Sequence, residues 1–141
     1  MTSRDDSKLR VGTDLTSVTD VAASIDRFGE RYLGRIFTDH ERASCTGVPS
    51  VSAAGLAARF AAKEAAIKIL RPTDVRPAWR SIEVRRAASG ACDLHLTGAA
   101  AQLAAEQGIT DLAVSLTHEG DLAAAVVIAR VEPAVAPLEN A

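Results

Sequence analysis

The 141-residue sequence has only two cysteines, Cys45 and Cys92, too far apart to form a paired-ligand motif or a dense disulfide framework. Reduced, structural thiols in a cytoplasmic protein are the expectation. Aromatic residues are scarce at 4%, so close packing of small side chains has to replace large aromatic anchors. No stretch offers the ~20 uninterrupted apolar residues of a spanning helix, and the polar start MTSRDDSKLR has no apolar core of signal-peptide length. Membrane insertion and secretion are both disfavoured. An excess of one charge is missing too: sixteen basic against eighteen acidic residues leave −2, which is not the footprint of a surface that gathers nucleic acid by neutralising phosphates. The phosphate-cradling glycine loop with its lysine, the zinc helix with paired histidines and the nucleophile elbow are all absent, which argues against the enzymes built on them.

What remains is ordinary soluble material, 48% hydrophobic and 24% charged, in a length that suits one core and one domain. Residues 1–8 and 132–141 read as tails, and the folded part as 9–131. Leu9, Val11 and Thr13 alternate with Arg10, Gly12 and Asp14, a period of two that predicts a short strand ending at Asp14. Ser17 and Thr19 offer caps for a helix with Val18, Val21, Ala22, Ile25 and Phe28 as its stripe, interrupted or bent at Gly29. Thr38 and Glu41 have capping-box spacing for a helix over 39–45, followed by a loop over 46–52. Ser52 then caps a long helix that Pro72 stops after Leu70. Strands are predicted over 81–86, 92–97, 112–117 and 122–131, with an alanine-rich helix over 99–107 ended by Gly108. Hairpin-linked strands mixed with helices give an α+β single domain, a mostly antiparallel sheet packed against the long helix.

Within RFAAKEAAIKIL, Glu64 and Lys68 stand four apart and share a helix face. That face lies between an alanine arc and a second arc of Leu56, Phe60 and Ile67, which predicts partial desolvation of both; an exposed i,i+4 ion pair is the plain alternative. Arg59 and Lys63 form a neighbouring stripe, either solvated charge or phosphate ligands. Asp14 follows Gly12, which admits a close backbone or ligand, although an aspartate opening a turn is equally ordinary. His118, where a strand gives way to a turn, reads as a hydrogen-bonded structural residue or a site residue.

Four stretches, VGTDL, RFGERYLGRIFT, LAARFAAKEAAIK and VSLTHEGDLAAAVVI, together resemble the small single-domain holo-acyl-carrier-protein synthases of 4'-phosphopantetheinyl transferase type, over nearly the whole folded chain. The resemblance implies transfer of the phosphopantetheine arm of coenzyme A to a carrier-protein serine, with release of adenosine 3',5'-bisphosphate. By the same resemblance Asp14 and Glu64 bind Mg2+, Lys68 meets the transferring phosphate, and His118 lies by the coenzyme pocket. Ser115 and Thr117 would line its rim, and Arg59 and Lys63 would contact coenzyme phosphates. Asp14, Glu64 and Lys68 are thus the expected catalytic set, with Glu64 or a metal-held water taking the serine proton. A homotrimer with sites at subunit boundaries is implied as well. Two carboxylates are enough, because magnesium keeps several waters and takes substrate phosphate oxygens.

Three departures from the pattern stand out. Where the first helix of this family commonly carries an arginine for the acidic helix of the carrier, this chain has Asp20. Arg27, Arg31 and Arg35, spaced by four, would restore a basic docking strip if one helix continued past Gly29. The loop after the long helix is the stiff, charged segment 71–77, and Gly90 is followed by Ala91 and Cys92 in place of the usual proline. A rival reading from another class is a non-catalytic relative that binds coenzyme A or a carrier as an interaction subunit.

Overall fold

The computed structural model describes residues 8–45 and 52–133. The expected loop over 46–52, apart from Ser52, and most of both expected tails lie outside these residues. Lys8 is not tail but the first residue of β1 (Lys8–Ser17), and Glu132 donates its amide to the Gly108 carbonyl at 2.8 Å.

β1 is longer than its alternation suggested, so Asp14 sits inside the strand, opposite Ala125, and not at its end. After β1 come α1 (Val18–Phe28), α2 (Glu30–Ile36), α3 (Asp39–Ser44) and the long α4 (Ala53–Leu70). A single 3-10 turn over Trp79–Ser81 leads into the hairpin β2 (Ile82–Arg86) and β3 (Cys92–Leu96), then α5 (Gly98–Glu106), β4 (Ile109–Glu119) and β5 (Leu122–Val131). All pairings are antiparallel: one sheet has the order β1-β5-β4, the other is the β2-β3 hairpin. β4 also outruns its prediction, so His118 lies within the strand opposite Ala123.

The helix starts follow from their caps. Ser17 accepts from the Asp20 amide, Ser52 from the Gly55 amide, and Thr38 and Glu41 form the reciprocal capping box. Gly29, at φ 52°, ends α1 and opens α2, a conformation glycine adopts without penalty. The helix is interrupted at Gly29 as expected, so the condition for a continuous strip of Arg27, Arg31 and Arg35 is not met: Arg27 stays on α1 and the other two lie on α2.

α4 runs through the middle of the molecule. Its alanines 57, 58, 61, 62, 65 and 66 are all buried, which lets β1, the sheet and the hairpin approach its backbone closely. On β1 the face assignments are unusual. Leu9 and Val11 point outward, 70% and 66% exposed, while Arg10, Gly12 and Asp14 point inward to α4. A Cβ on Gly12 would collide with the Ala65 carbonyl oxygen, so only glycine permits this approach.

Candidate functional site

β1, α1 and α4 enclose a cavity of about 460 Å³ whose walls include Asp14, Thr16, Ser17, Asp20, Ser24, Tyr32, Phe60 and Glu64. Asp14 and Glu64, fifty residues apart in sequence, thus share one open space. Thr16 donates its hydroxyl to Asp14 Oδ2 at 3.0 Å, and Lys68 Nζ lies 3.6 Å from Asp14 Oδ1 while donating to the Thr13 carbonyl at 2.5 Å. Lys68 therefore pairs across to β1, not along its own helix to Glu64. Among the described residues the Glu64 carboxylate has no hydrogen-bonding or ion-pair partner.

The residues here fit one hard divalent cation. Asp14 and Glu64 line one cavity with anionic oxygens as their only donors, the kind of set a hard cation takes together with waters and phosphate oxygens.

The burial forecast for α4 holds for Glu64, which is half-buried, and fails for Lys68 and for the neighbouring stripe. On the face expected to be partly desolvated, Glu64 is, whereas the Lys68 side chain is 54% exposed. The Arg59 and Lys63 stripe is the buried one. Lys63 is fully buried, 2.7 Å from the equally buried Glu41 Oε1, and donates to the carbonyls of Trp79, at 3.0 Å, and Ile82. Burial pulls its ammonium down from the ordinary lysine value, and the Glu41 carboxylate opposes that pull. With every donor direction engaged inside the core, Lys63 cannot reach a coenzyme phosphate, and its expected ligand role is corrected to a structural one. Helical period alone could not reveal this, because α4 is covered on nearly all sides.

Glu41 was visible in the sequence only as a capping residue. Its Oε1 accepts from the Thr38 amide and its Oε2 from the Val84 amide, both at 2.9 Å, so one carboxylate joins α3, α4 and β2.

A second cavity, of about 320 Å³, collects Gly55, Arg59, Arg86, Gly90, Cys92, Thr117 and His118. Arg59 is 6% exposed; Nη1 reaches the Gly55 carbonyl at 3.2 Å, but its buried Nε has no partner among the described residues. A buried donor without an acceptor is costly, so an anion entering here gains more than surface charge alone would provide. Arg86, on the hairpin, was missed by the sequence reading because nothing local marks it as a neighbour of Arg59. Ser115 does not join Thr117 and His118 at this rim; it lies on the outward face of the sheet, opposite Val126. Cys45 is buried, and burial pushes its thiol up, as suits a structural thiol.

A third cavity, about 480 Å³ and largely apolar, is lined by Phe28, Arg31, Tyr32, Arg35, Ile36, Phe60 and Trp79. It shares Tyr32 and Phe60 with the cavity of Asp14 and Glu64, so the two adjoin along these two side chains. Arg27 instead stacks on the Phe28 ring, 5.1 Å from its centroid. No helix among the described residues is long and apolar enough to cross a membrane.

The family model of the 4'-phosphopantetheinyl transferase superfamily matches residues 10–127. The chain belongs to that superfamily. Within it, the holo-[acyl-carrier-protein] synthase of Desulforudis audaxviator is 41% identical over 121 residues, covering 86% of this chain and 92% of its own. That of Chloroflexus aggregans is 42% identical over 132 residues, covering 86% and 94%. Among solved structures, an ACPS–CoA complex from Chronobacterium ammoniagenes superposes with a TM-score of 0.78 at 31% identity, over 89% of this chain and 99% of that one. The acyl carrier protein synthase of Mycobacterium tuberculosis gives 0.63 at 39% identity, over 87% and 96%. Membership of the superfamily, reached first through KEA and its flanking motifs, thus spans both cavities that hold the charged side chains.

Proposed function

We propose that this chain is a holo-acyl-carrier-protein synthase, moving the 4'-phosphopantetheine arm of coenzyme A to a serine of an apo-carrier protein. The observation that carries the mechanism is the shared cavity of Asp14 and Glu64 with Lys68 at its edge. In the reaction the serine oxygen forms a bond to the β-phosphorus of coenzyme A, the bond from that phosphorus to the bridging pyrophosphate oxygen breaks, and adenosine 3',5'-bisphosphate leaves. A magnesium ion held by Asp14 and Glu64 would screen the pyrophosphate and stabilise charge on its oxygens. Lys68, anchored by Thr13 and Asp14, presents its ammonium to the equatorial oxygens of the transferring group. The serine proton passes to a carboxylate oxygen or to water in this open cavity.

Arg59, Arg86 and His118, with Thr117, form the cationic cavity that suits the remaining phosphates of coenzyme A. Arg31 and Arg35 flank an apolar floor that adjoins the cavity of Asp14 and Glu64 at Tyr32 and Phe60, a surface suited to an acidic helix of the carrier that brings its serine to Asp14 and Glu64. Asp20 on the wall of the same reaction cavity puts negative charge where the carrier must approach, and a narrowed carrier preference follows; equal rates over carriers of differing helix charge would contradict it. The outward sheet face carries Leu9, Val11, Leu15, Leu122, Val126 and Ile128, all exposed. Such a patch suits burial against further copies of the chain, and we assign it to the subunit interface of a homotrimer, to be tested by light scattering of a Val126→Lys variant. In the trimer His118 of one subunit would stand near Asp14 and Glu64 of the next. Mixing Asp14→Ala and His118→Ala subunits should restore activity; no gain over either parent would oppose shared sites.

The deciding experiment incubates apo-carriers with coenzyme A, Mg2+ and the protein and reads intact mass. A gain of one phosphopantetheine on the carrier serine is expected. Coenzyme binding with no mass gain on any carrier would overturn the transferase.

A further inference from the structure

The end of α4 is closed by two side chains that the reaction does not use. A helix leaves its last carbonyls without intrahelical donors. Here the Arg71 amide takes the Ile67 carbonyl at 3.0 Å, with Arg71 itself left-handed at φ 49°. Arg10 Nη1 takes the Ile69 carbonyl at 2.9 Å. The Gln107 side-chain amide donates to the carbonyls of Leu70 and, at 3.4 Å, Arg71, while its own oxygen accepts from Arg10. One guanidinium and one carboxamide thereby tie β1, α4 and the end of α5 together.

This clamp shares a strand face with the proposed metal site. Arg10, Gly12 and Asp14 are alternate residues of β1, all turned to α4: Arg10 meets the Ile69 carbonyl, Gly12 the Ala65 carbonyl, and Asp14 the cavity of Glu64, with the long Lys68 side chain reaching to it as well. β1 thus lies along α4 with Arg10 and Gln107 fixing one end of this face and Asp14 at the other, while its ladder to β5 makes it move as one piece of the sheet. Residues four apart on a strand are separated by about 13 Å, so a small pivot at the clamp is delivered to the spacing of the two carboxylates.

We propose that Arg10 and Gln107 are positioning residues that set the distance between Asp14 and Glu64, and so the affinity of that pair for a divalent cation. The inference rests on the metal reading above. The test titrates Mn2+ into protein saturated with coenzyme A and follows free Mn2+ by electron paramagnetic resonance, for the wild type and for Arg10→Ala, Arg10→Lys and Gln107→Leu, each first checked by circular dichroism to be folded at the assay temperature. Disturbing residues that orient metal ligands typically costs about 10–100-fold in metal affinity. On that scale Arg10→Ala should weaken Mn2+ binding by about tenfold and Gln107→Leu by about fivefold. Arg10→Lys, which retains a donor for Ile69, should recover part of the loss, and the coenzyme KM at saturating metal should stay within about twofold of wild type. If folded Gln107→Leu and Arg10→Ala bind Mn2+ as the wild type does, the clamp is merely structural and the inference fails; if Arg10→Ala does not fold, Gln107→Leu decides alone. A wild type that binds coenzyme A but no Mn2+ would instead defeat the metal reading on which both depend.

Discussion

Lys63 and Glu64 are neighbours on one helix with opposite fates. Lys63 is enclosed, paired with Glu41 and bonded to two carbonyls, whereas Glu64 faces a cavity with no partner among the described residues. Successive residues on a helix point about 100° apart, so a single step along α4 crosses from the core to the reaction cavity. A satisfied buried charge builds architecture. An unsatisfied carboxylate that shares a cavity with a second one has capacity for a ligand, and under the proposed function that difference separates structural from catalytic charge.

Two substitutions break the comparison most directly. Glu64→Gln should leave the melting temperature close to wild type, since no intramolecular bond is lost. Transfer should fall about a thousandfold, because charge stabilisation by a metal is worth several kcal/mol. Lys63→Met should do the reverse. Leaving Glu41 buried without its counter-ion costs on the order of 3–5 kcal/mol, read by urea unfolding, while activity per folded molecule stays near wild type. A thousandfold activity loss in a stably folded Lys63→Met protein would return Lys63 to the site.

Pairing Lys63→Met with Glu41→Leu sharpens the point, since replacing a buried ion pair by apolar side chains is often neutral or stabilising. The Val84 amide would still lose its acceptor, Glu41 Oε2, at about 1–3 kcal/mol. The double variant should therefore be more stable than Lys63→Met alone and remain below wild type. Urea midpoints of the three proteins test that order.

The same contrast shows where sequence is informative. Caps, glycine breaks and alternation are local signals, so the starts of α1, α3 and α4 and all of β5 were readable from Ser17, Thr38, Ser52 and the run from Leu122 to Val131. The motif around Glu64 gave the family, and with it the pairing of Glu64 with Asp14. What stayed hidden was long-range. Nothing near Lys63 announces Glu41 or the carbonyls of Trp79 and Ile82, and nothing near Arg86 announces Arg59. The apolar and polar faces of β1 were equally deceptive. Leu9 and Val11 look like core residues until the packing of α4 on Gly12 turns them outward.

Gly12→Ala probes the open side of the comparison without touching either carboxylate. The added methyl meets the Ala65 carbonyl oxygen and the Ile69 side chain, and overpacking of this kind typically costs about 1–3 kcal/mol. β1 must retreat from α4 and draw Asp14 from Glu64, so the Mg2+ concentration for half-maximal transfer should rise several-fold, with a smaller change in coenzyme KM. An unchanged Mg2+ requirement in a destabilised protein would show that the strand yields without moving Asp14.

The smallest effect is expected at Asp121, in the turn between β4 and β5. Its carboxylate accepts from the Ser17 hydroxyl at 3.0 Å, from the Thr19 amide at 2.7 Å and from the Thr19 hydroxyl, and its carbonyl accepts from the Val18 amide at 2.8 Å. Negative charge at a helix N-terminus is favourable, and these bonds, the Thr19 hydroxyl first, hold the carboxyl below its ordinary value of 3.8. A group whose value is lower in the fold than in the unfolded chain contributes stability above the unfolded value and loses it as pH falls through the folded one. Asp121→Asn keeps the acceptor for the Thr19 amide and removes the charge. Wild type should therefore melt slightly higher than the variant at neutral pH, with the gap closing as pH drops below 3.8. Because α1 forms a wall of the Asp14 and Glu64 cavity and is pinned by this turn, a gap that persisted unchanged into acid would mean that hydrogen-bond geometry, and not charge, secures the wall.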